Sequence, residues 1–181
     1  MKHANRGRRG NAIVEFTLVG IPIVFVLISI FEISRGMWVY DTLAHAVKEG
    51  VRLAIVNGSG CSQIPTCEVT TTVAAVAGRI RESGVGLSPD ELEVRLVVLQ
   101  PSPTGPVVVG SPVECRPLSA CLSRTDKWPP AGANRAKVNS VSVQGVYPFR
   151  SAIAMFWPGA GPGMTFGRVN LPAVSQEVIQ F

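Results

Sequence analysis

Four cysteines and one carboxylate are the residues of this chain whose type and spacing most suggest chemistry. Cys61 and Cys67 form one close pair, and Cys115 and Cys121 form another. Outside a reducing cytosol such pairs favour disulfides, and four cysteines allow three connectivities. Local bridges, 61–67 and 115–121, are the simplest, each closing a small loop around Pro65 or Pro117. A structural zinc site is the alternative. Zinc ligand pairs more often have two to four intervening residues, and no histidine accompanies either pair. The carboxylate is Glu15, the only charge between Asn11 and Phe31 in NAIVEFTLVGIPIVFVLISIF. A carboxylate in or beside such a run must find a partner or reach water.

Other reactive types form no constellation. His3 lies in a basic leader and His45 in a helical stretch, so the spacing of Ser, His and Asp implies no nucleophile. A Gly-rich phosphate loop is missing, and nothing points to a metal or an organic cofactor. Asp90, Glu91 and Glu93 are the nearest thing to a carboxylate cluster. Glu91 and Glu93 read as one solvated strand face. An enzyme would need a site assembled from distant residues, and no such motif is legible. The net charge of +5 suggests a nucleic-acid binder, but Lys2, Arg6, Arg8 and Arg9 account for most of it. Phosphate binding needs a concentrated basic face, and Arg135 with Lys137 is too little.

The elements that position these residues begin with the apolar run. A helix needs about 20 residues to cross a hydrocarbon core of about 30 Å. Residues 12–31 suffice, with Glu15 near one end. Gly20 and Pro22 are tolerated in a membrane span, and a mild kink is expected at Pro22. Basic residues crowd the N-terminal side and none returns until Arg35. That asymmetry predicts a cytoplasmic N-terminus and a C-terminal part outside. A cleaved secretory signal would be shorter and would end at a small-x-small site, which does not follow here.

The helix is expected to continue to Val56, where Asn57-Gly58-Ser59-Gly60 stops it. Met37, Tyr40, Ala44, Val47, Val51 and Ala54 are expected to form its apolar stripe. Glu49 with Arg52, and Asp41 with His45, are spaced for more polar surface. Residues 68–83 read as a second helix with Val69, Val73, Val76 and Ile80 inward, closed by Gly84-Val85-Gly86. From Glu91 to Gln100 the period becomes two, with Leu92, Val94, Leu96 and Val98 on the core side. Val107–Val109 reads as a short strand between prolines. Residues 137–147 read as a longer one, with Val141, Val143 and Tyr147 on one face. Residues 148–172, with several prolines and glycines, read as room for a last irregular strand, and the tail from Pro172 as ambiguous. The fold class is therefore α+β: a long transmembrane helix entering a small extracytoplasmic domain with a second helix and an antiparallel sheet. The boundaries are a leader at 1–10, a span at 11–33 and an outer domain at 34–181.

The segment RGRRG-NAIVEFTLVGIPIVFVLISIFEISRG has a more specific form than a generic anchor. A basic leader ends in Gly10, and Glu15 and Phe16 follow before the apolar run. This resembles the prepilin-peptidase signal of type IV pilin-like proteins, and particularly the TadE-like (tight adherence) pseudopilins. Phe31-Glu32-Ile33-Ser34-Arg35, Tyr40, and the Ala-x-x-Glu-Gly-x-Arg element at Ala46, Glu49, Gly50 and Arg52 continue it. The strand at 139–147 is like the late strand of that family. The resemblance implies a minor pilin or pseudopilin of a tight-adherence (Flp-type) pilus and secretion system in a bacterial inner membrane. It implies cleavage between Gly10 and Asn11 by a prepilin peptidase on the cytoplasmic side. It also implies a part for Glu15 and Phe16 in assembly, with Glu15 pairing with a neighbour's new amine. Partners would be the peptidase, other pilins and pseudopilins, the assembly platform and the bilayer. An uncleaved, membrane-anchored binding domain is the alternative, and it differs in keeping its leader.

Overall fold

The computed structural model describes residues 8–56, 71–130, 133, 138–151 and 168–180, with side chains in the first stretch from residue 12 on. It shows an α+β chain with elements α1 (Arg8–Val56), α2 (Val73–Ser83), β1 (Glu93–Gln100), β2 (Val107–Cys115), β3 (Ser140–Arg150) and β4 (Arg168–Val178). The strands form one antiparallel sheet ordered β2-β1-β3-β4. The chain divides into two units, residues 1–37 with 150–167, and residues 38–149 with 168–181.

In the first unit, the apolar half of α1 is one helix through Pro22. Almost every residue from Ala12 to Phe31 is exposed, so this stretch has no core of its own to cover. Its hydroxyls are satisfied within the helix. Thr17 Oγ1 donates to the carbonyls of Ile13 and Val14 at 3.1 and 3.0 Å. Ser29 Oγ donates to Phe25 O at 2.8 Å, and Ser34 Oγ to Ile30 O at 2.9 Å. A helix surrounded by hydrocarbon needs this internal pairing. Beyond the run, Glu32 is buried and pairs with Arg35 at 3.3 Å, and Arg35 also donates to the carbonyl of Arg150.

In the second unit, α1 is held by small residues. Its buried stripe is Val39, Leu43, Ala46, Val47, Gly50, Val51, Ala54 and Ile55. The expected stripe began at Met37 and Tyr40, but these are 63% and 47% exposed. Ala44, expected in the same stripe, is only partly buried. Both faces satisfy helical spacing and share Val47, Val51 and Ala54. Close approach decides between them, because it requires Ala46 and Gly50 at the contact. A Cβ at Gly50 would lie 2.6 Å from Ile80 Cγ1, and one at Gly145 would lie 2.8 Å from Val47 Cγ2. Glycine at these two points lets α2 and β3 pack directly on α1.

The second helix starts five residues later than expected, at Val73. The Thr71-Thr72 pair is extended rather than helical. Thr72 Oγ1 accepts from Ala75 N at 3.2 Å as N-cap. Val73 N and Ala74 N donate to the carbonyls of Asp126 and Arg124, and Trp128 N to Thr71 O. The first-turn donors that a helix leaves open are thus taken up by a loop. Val73, Val76, Ala77 and Ile80 face the core, and Gly84 closes the helix. Val69, expected on that face, lies outside the described residues, as do residues 57–60.

The sheet core follows the period-two reading. Val94, Leu96 and Val98 of β1 stand opposite Gly145, Val143 and Val141 of β3. Tyr147, expected with them, is only partly buried. Its hydroxyl donates to Glu91 Oε2 at 3.5 Å and accepts from Ser88 N at 3.4 Å. Glu91 and Glu93 do not share a strand face. Glu91 lies in the turn before β1, whereas Glu93 is exposed on β1 beside Arg116 at 3.6 Å. Both edge strands are longer than expected. β2 runs on past Pro112 to Cys115, with its register shifting between Leu96 and Val98, where Gly110 takes φ +74°. β4 carries Pro172 in its middle. A sheet edge tolerates a residue without an N–H, which an interior strand does not.

Candidate assembly site

The residues expected to act in processing and assembly all lie in the first unit. The helix is already formed at Arg8–Gly10. Glu15 is exposed and has no ion-pair or hydrogen-bond partner among the described residues. Phe16 is 77% exposed. With Thr17, Gly20, Ile21, Val24 and Phe25 it lines an apolar groove of about 320 Å³, open where Gly20 lacks a side chain. In an 18-residue window of this helix the mean hydropathy is 2.5 and no residue is buried. Among the described residues this is the one helix apolar and long enough to cross a membrane. The fully exposed window distinguishes it from the core helix of a soluble protein.

The Ala46, Glu49, Gly50 and Arg52 element lies in the second unit, where it joins α1 to α2. Glu49 Oε1 accepts from Arg52 at 2.8 Å and Oε2 from Arg79 at 3.0 Å. The Arg79 hydrogen bond chiefly holds the Glu49 carboxyl below its usual range; desolvation opposes it, and the Arg52 hydrogen bond and the charges of both guanidinium groups add to the lowering. Gly50, next in sequence, receives Ile80, which is next to Arg79. Two adjacent residues on α1 thus meet two adjacent residues on α2, one contact ionic and one apolar. Ala46 stands where a Cβ at Gly84 would approach to 3.5 Å. Sequence reasoning paired Glu49 with Arg52 but missed Arg79. The available signal was Arg79-Ile80, a cation beside an inward residue, on a helix expected to pack nearby. Asp41 and His45 are both exposed and make no ion pair with each other.

Cys115 and Cys121 form a buried disulfide, with the two Cα atoms 5.5 Å apart. It closes the end of β2 onto a short 3-10 helix, Leu118–Cys121, whose Leu118 N donates to Leu92 O at 2.7 Å. Cys61, Cys67, Arg135 and Lys137 lie outside the described residues. No group of three or more His, Cys, Asp or Glu able to hold a metal occurs among the described residues.

Residues 10–52 match the family of TadE-like proteins. The match opens at Gly10, includes Glu15 and the exposed apolar helix, and closes at Arg52 on the α1–α2 contact. No curated protein and no solved structure matches the chain. The family likeness read from the N-terminal residues thus holds for that segment, and the sheet lies outside it.

Proposed function

We propose that the chain is a minor pilin or pseudopilin acting in assembly of a tight-adherence pilus and secretion system. The observation that carries this is one segment: residues 10–52 match TadE-like proteins, and their first half is an apolar helix with no protein core to cover. The helix anchors the chain in the inner membrane as a single pass. Residues 1–10 are cytoplasmic, residues 11–33 span the bilayer, and residues 34–181 fold on the periplasmic side. The basic leader supports that orientation. A prepilin peptidase cuts between Gly10 and Asn11, and the new amine carries a positive charge. Glu15 of one subunit pairs with that amine on a neighbour, which offsets the penalty of a carboxylate at the membrane. Phe16 and the groove beside Gly20 then receive the neighbour's helix. Contacts with other pilins and with the inner-membrane platform follow from the same helix.

The test is piliation of a strain lacking this chain, complemented with wild type or with Glu15→Val. Loss of surface pili, restored by wild type and not by Glu15→Val although the variant is present and cleaved, is the expected result. Wild-type piliation in the deletion strain would overturn the role. In that case the uncleaved anchored binding domain becomes the better reading.

A further inference from the structure

Just past the apolar run, α1 carries aromatic residues that its domain does not cover. Trp38 is 52% exposed, and Tyr40 also faces solvent. Neither the indole N–H of Trp38 nor the hydroxyl of Tyr40 has a hydrogen-bond partner among the described residues. Trp38 follows Ile33, the last residue of the span, by five positions, about 7.5 Å along the helix axis. The polar headgroup layer extends about 5–7.5 Å beyond each side of the hydrocarbon core, so the Trp38 backbone stands at its outer edge, and a long helical side chain leans back toward the N-terminus and so toward the layer. Trp and Tyr concentrate in that layer because a flat apolar ring with one polar tip suits it.

A second part of the same patch comes from far along the chain. The six-membered ring of Trp38 lies against Gly86, where a Cβ would stand 2.5 Å from Cη2. Gly86 has φ +85°, so both its backbone and its missing side chain are required there. This contact fixes the turn after α2 beside Trp38. Val85, at the tip between two glycines, is 68% exposed. A branched apolar residue at an exposed turn tip gains nothing from water. Arg81, in the last turn of α2, is also exposed and is long enough to reach a phosphate.

We propose that Trp38 and Val85 form a foot by which the folded domain rests on the bilayer, with the indole and the turn tip seated in the phospholipid headgroup layer. The continuity of Trp38 with the membrane-crossing stretch of the same helix argues for lipid as the occupant. The proposal rests on the reading that α1 spans a bilayer. It adds that the α2–β1 turn is a lipid contact, so the domain is seated on the membrane as well as tethered to it.

The experiment uses the full chain in phosphatidylcholine vesicles in a Trp157→Phe background that keeps Trp38, with buried Trp128 as constant signal; the emission of each added tryptophan is read as the increment over that background. Val85→Trp reports on the turn and Phe25→Trp on the span. Each is measured with phospholipid brominated near the headgroup or near the chain end. The expected result is blue-shifted emission from Val85→Trp, quenched more by the shallow than by the deep bromine. Phe25→Trp should show the reverse order. Aqueous emission from Val85→Trp, quenched by iodide and by neither lipid, would overturn the foot while quenched Phe25→Trp leaves the anchor standing. Emission shielded from both iodide and bromine would also overturn it, because protein would then cover the turn. If Phe25→Trp is itself unquenched, the anchor fails and the foot with it.

Discussion

Gly50 has no side chain because Ile80 occupies the space one would need, and Glu49 beside it is held by two guanidinium groups. The two contacts respond differently to perturbation. Gly50→Leu must push α2 away from α1, and overpacking of this kind lowers stability by about 1–3 kcal/mol. Thermal unfolding of the detergent-solubilised protein measures it, and the variant is expected to melt lower than wild type. Glu49 instead gives a pH dependence. Its folded pKa lies below the ordinary 4.5, so its contribution is complete above that value and disappears as pH falls through the lower folded one. The difference in melting temperature between wild type and Glu49→Gln should therefore be constant at neutral pH and shrink in acid. A difference that grows on acidification would mean that the carboxylate opposes folding. The residues of this joint are legible unevenly in the sequence. Glu49 and Arg52 are three apart on one helix and can be paired by counting. Arg79 is 30 residues away, and only the packing of two helices brings it to Glu49.

At the scale of elements, β1 could be read directly because it lies inside the sheet, where Val94, Leu96 and Val98 face the core, alternating with exposed Glu93 and Arg95 in its first half; Val97 is buried on the other face. The edge strands could not. β2 and β4 contain Pro112 and Pro172, and their burial is too shallow to enforce alternation. The long helix was visible in type and length, but its inward face was set by small residues that hydrophobic spacing undervalues. The Cys115–Cys121 bridge belongs to this scale, since it closes the end of β2 onto the 3-10 turn beside Leu92. Replacing both cysteines with serine is expected to lower stability by about 2 kcal/mol, read from denaturant unfolding under oxidising conditions. The apolar half of α1 makes a separate prediction. Ile23→Arg puts a charge near the middle of the span, which disfavours insertion by about 2.5–3.5 kcal/mol. The fraction of chain resisting alkaline carbonate extraction is expected to fall sharply, while Val56→Arg, beyond the span, should leave it unchanged.

Across the whole molecule, the two units do different work. The first presents an apolar helix surface that water disfavours and a lone carboxylate near its start. The second has its own core, a disulfide and charged edges. The family match covers the helix as far as the α1–α2 joint and leaves the sheet outside it. That division explains why the anchor was legible as a motif while the sheet had to be worked out by periodicity. It also makes the N-terminus the place to test the account. The measurement is the intact mass and N-terminal sequence of the protein extracted from membranes, for wild type and Gly10→Ala, in cells with an active prepilin peptidase. The expected result is a wild-type chain beginning at Asn11 and a Gly10→Ala chain that keeps its leader. A wild-type chain that still begins at Met1 would contradict it.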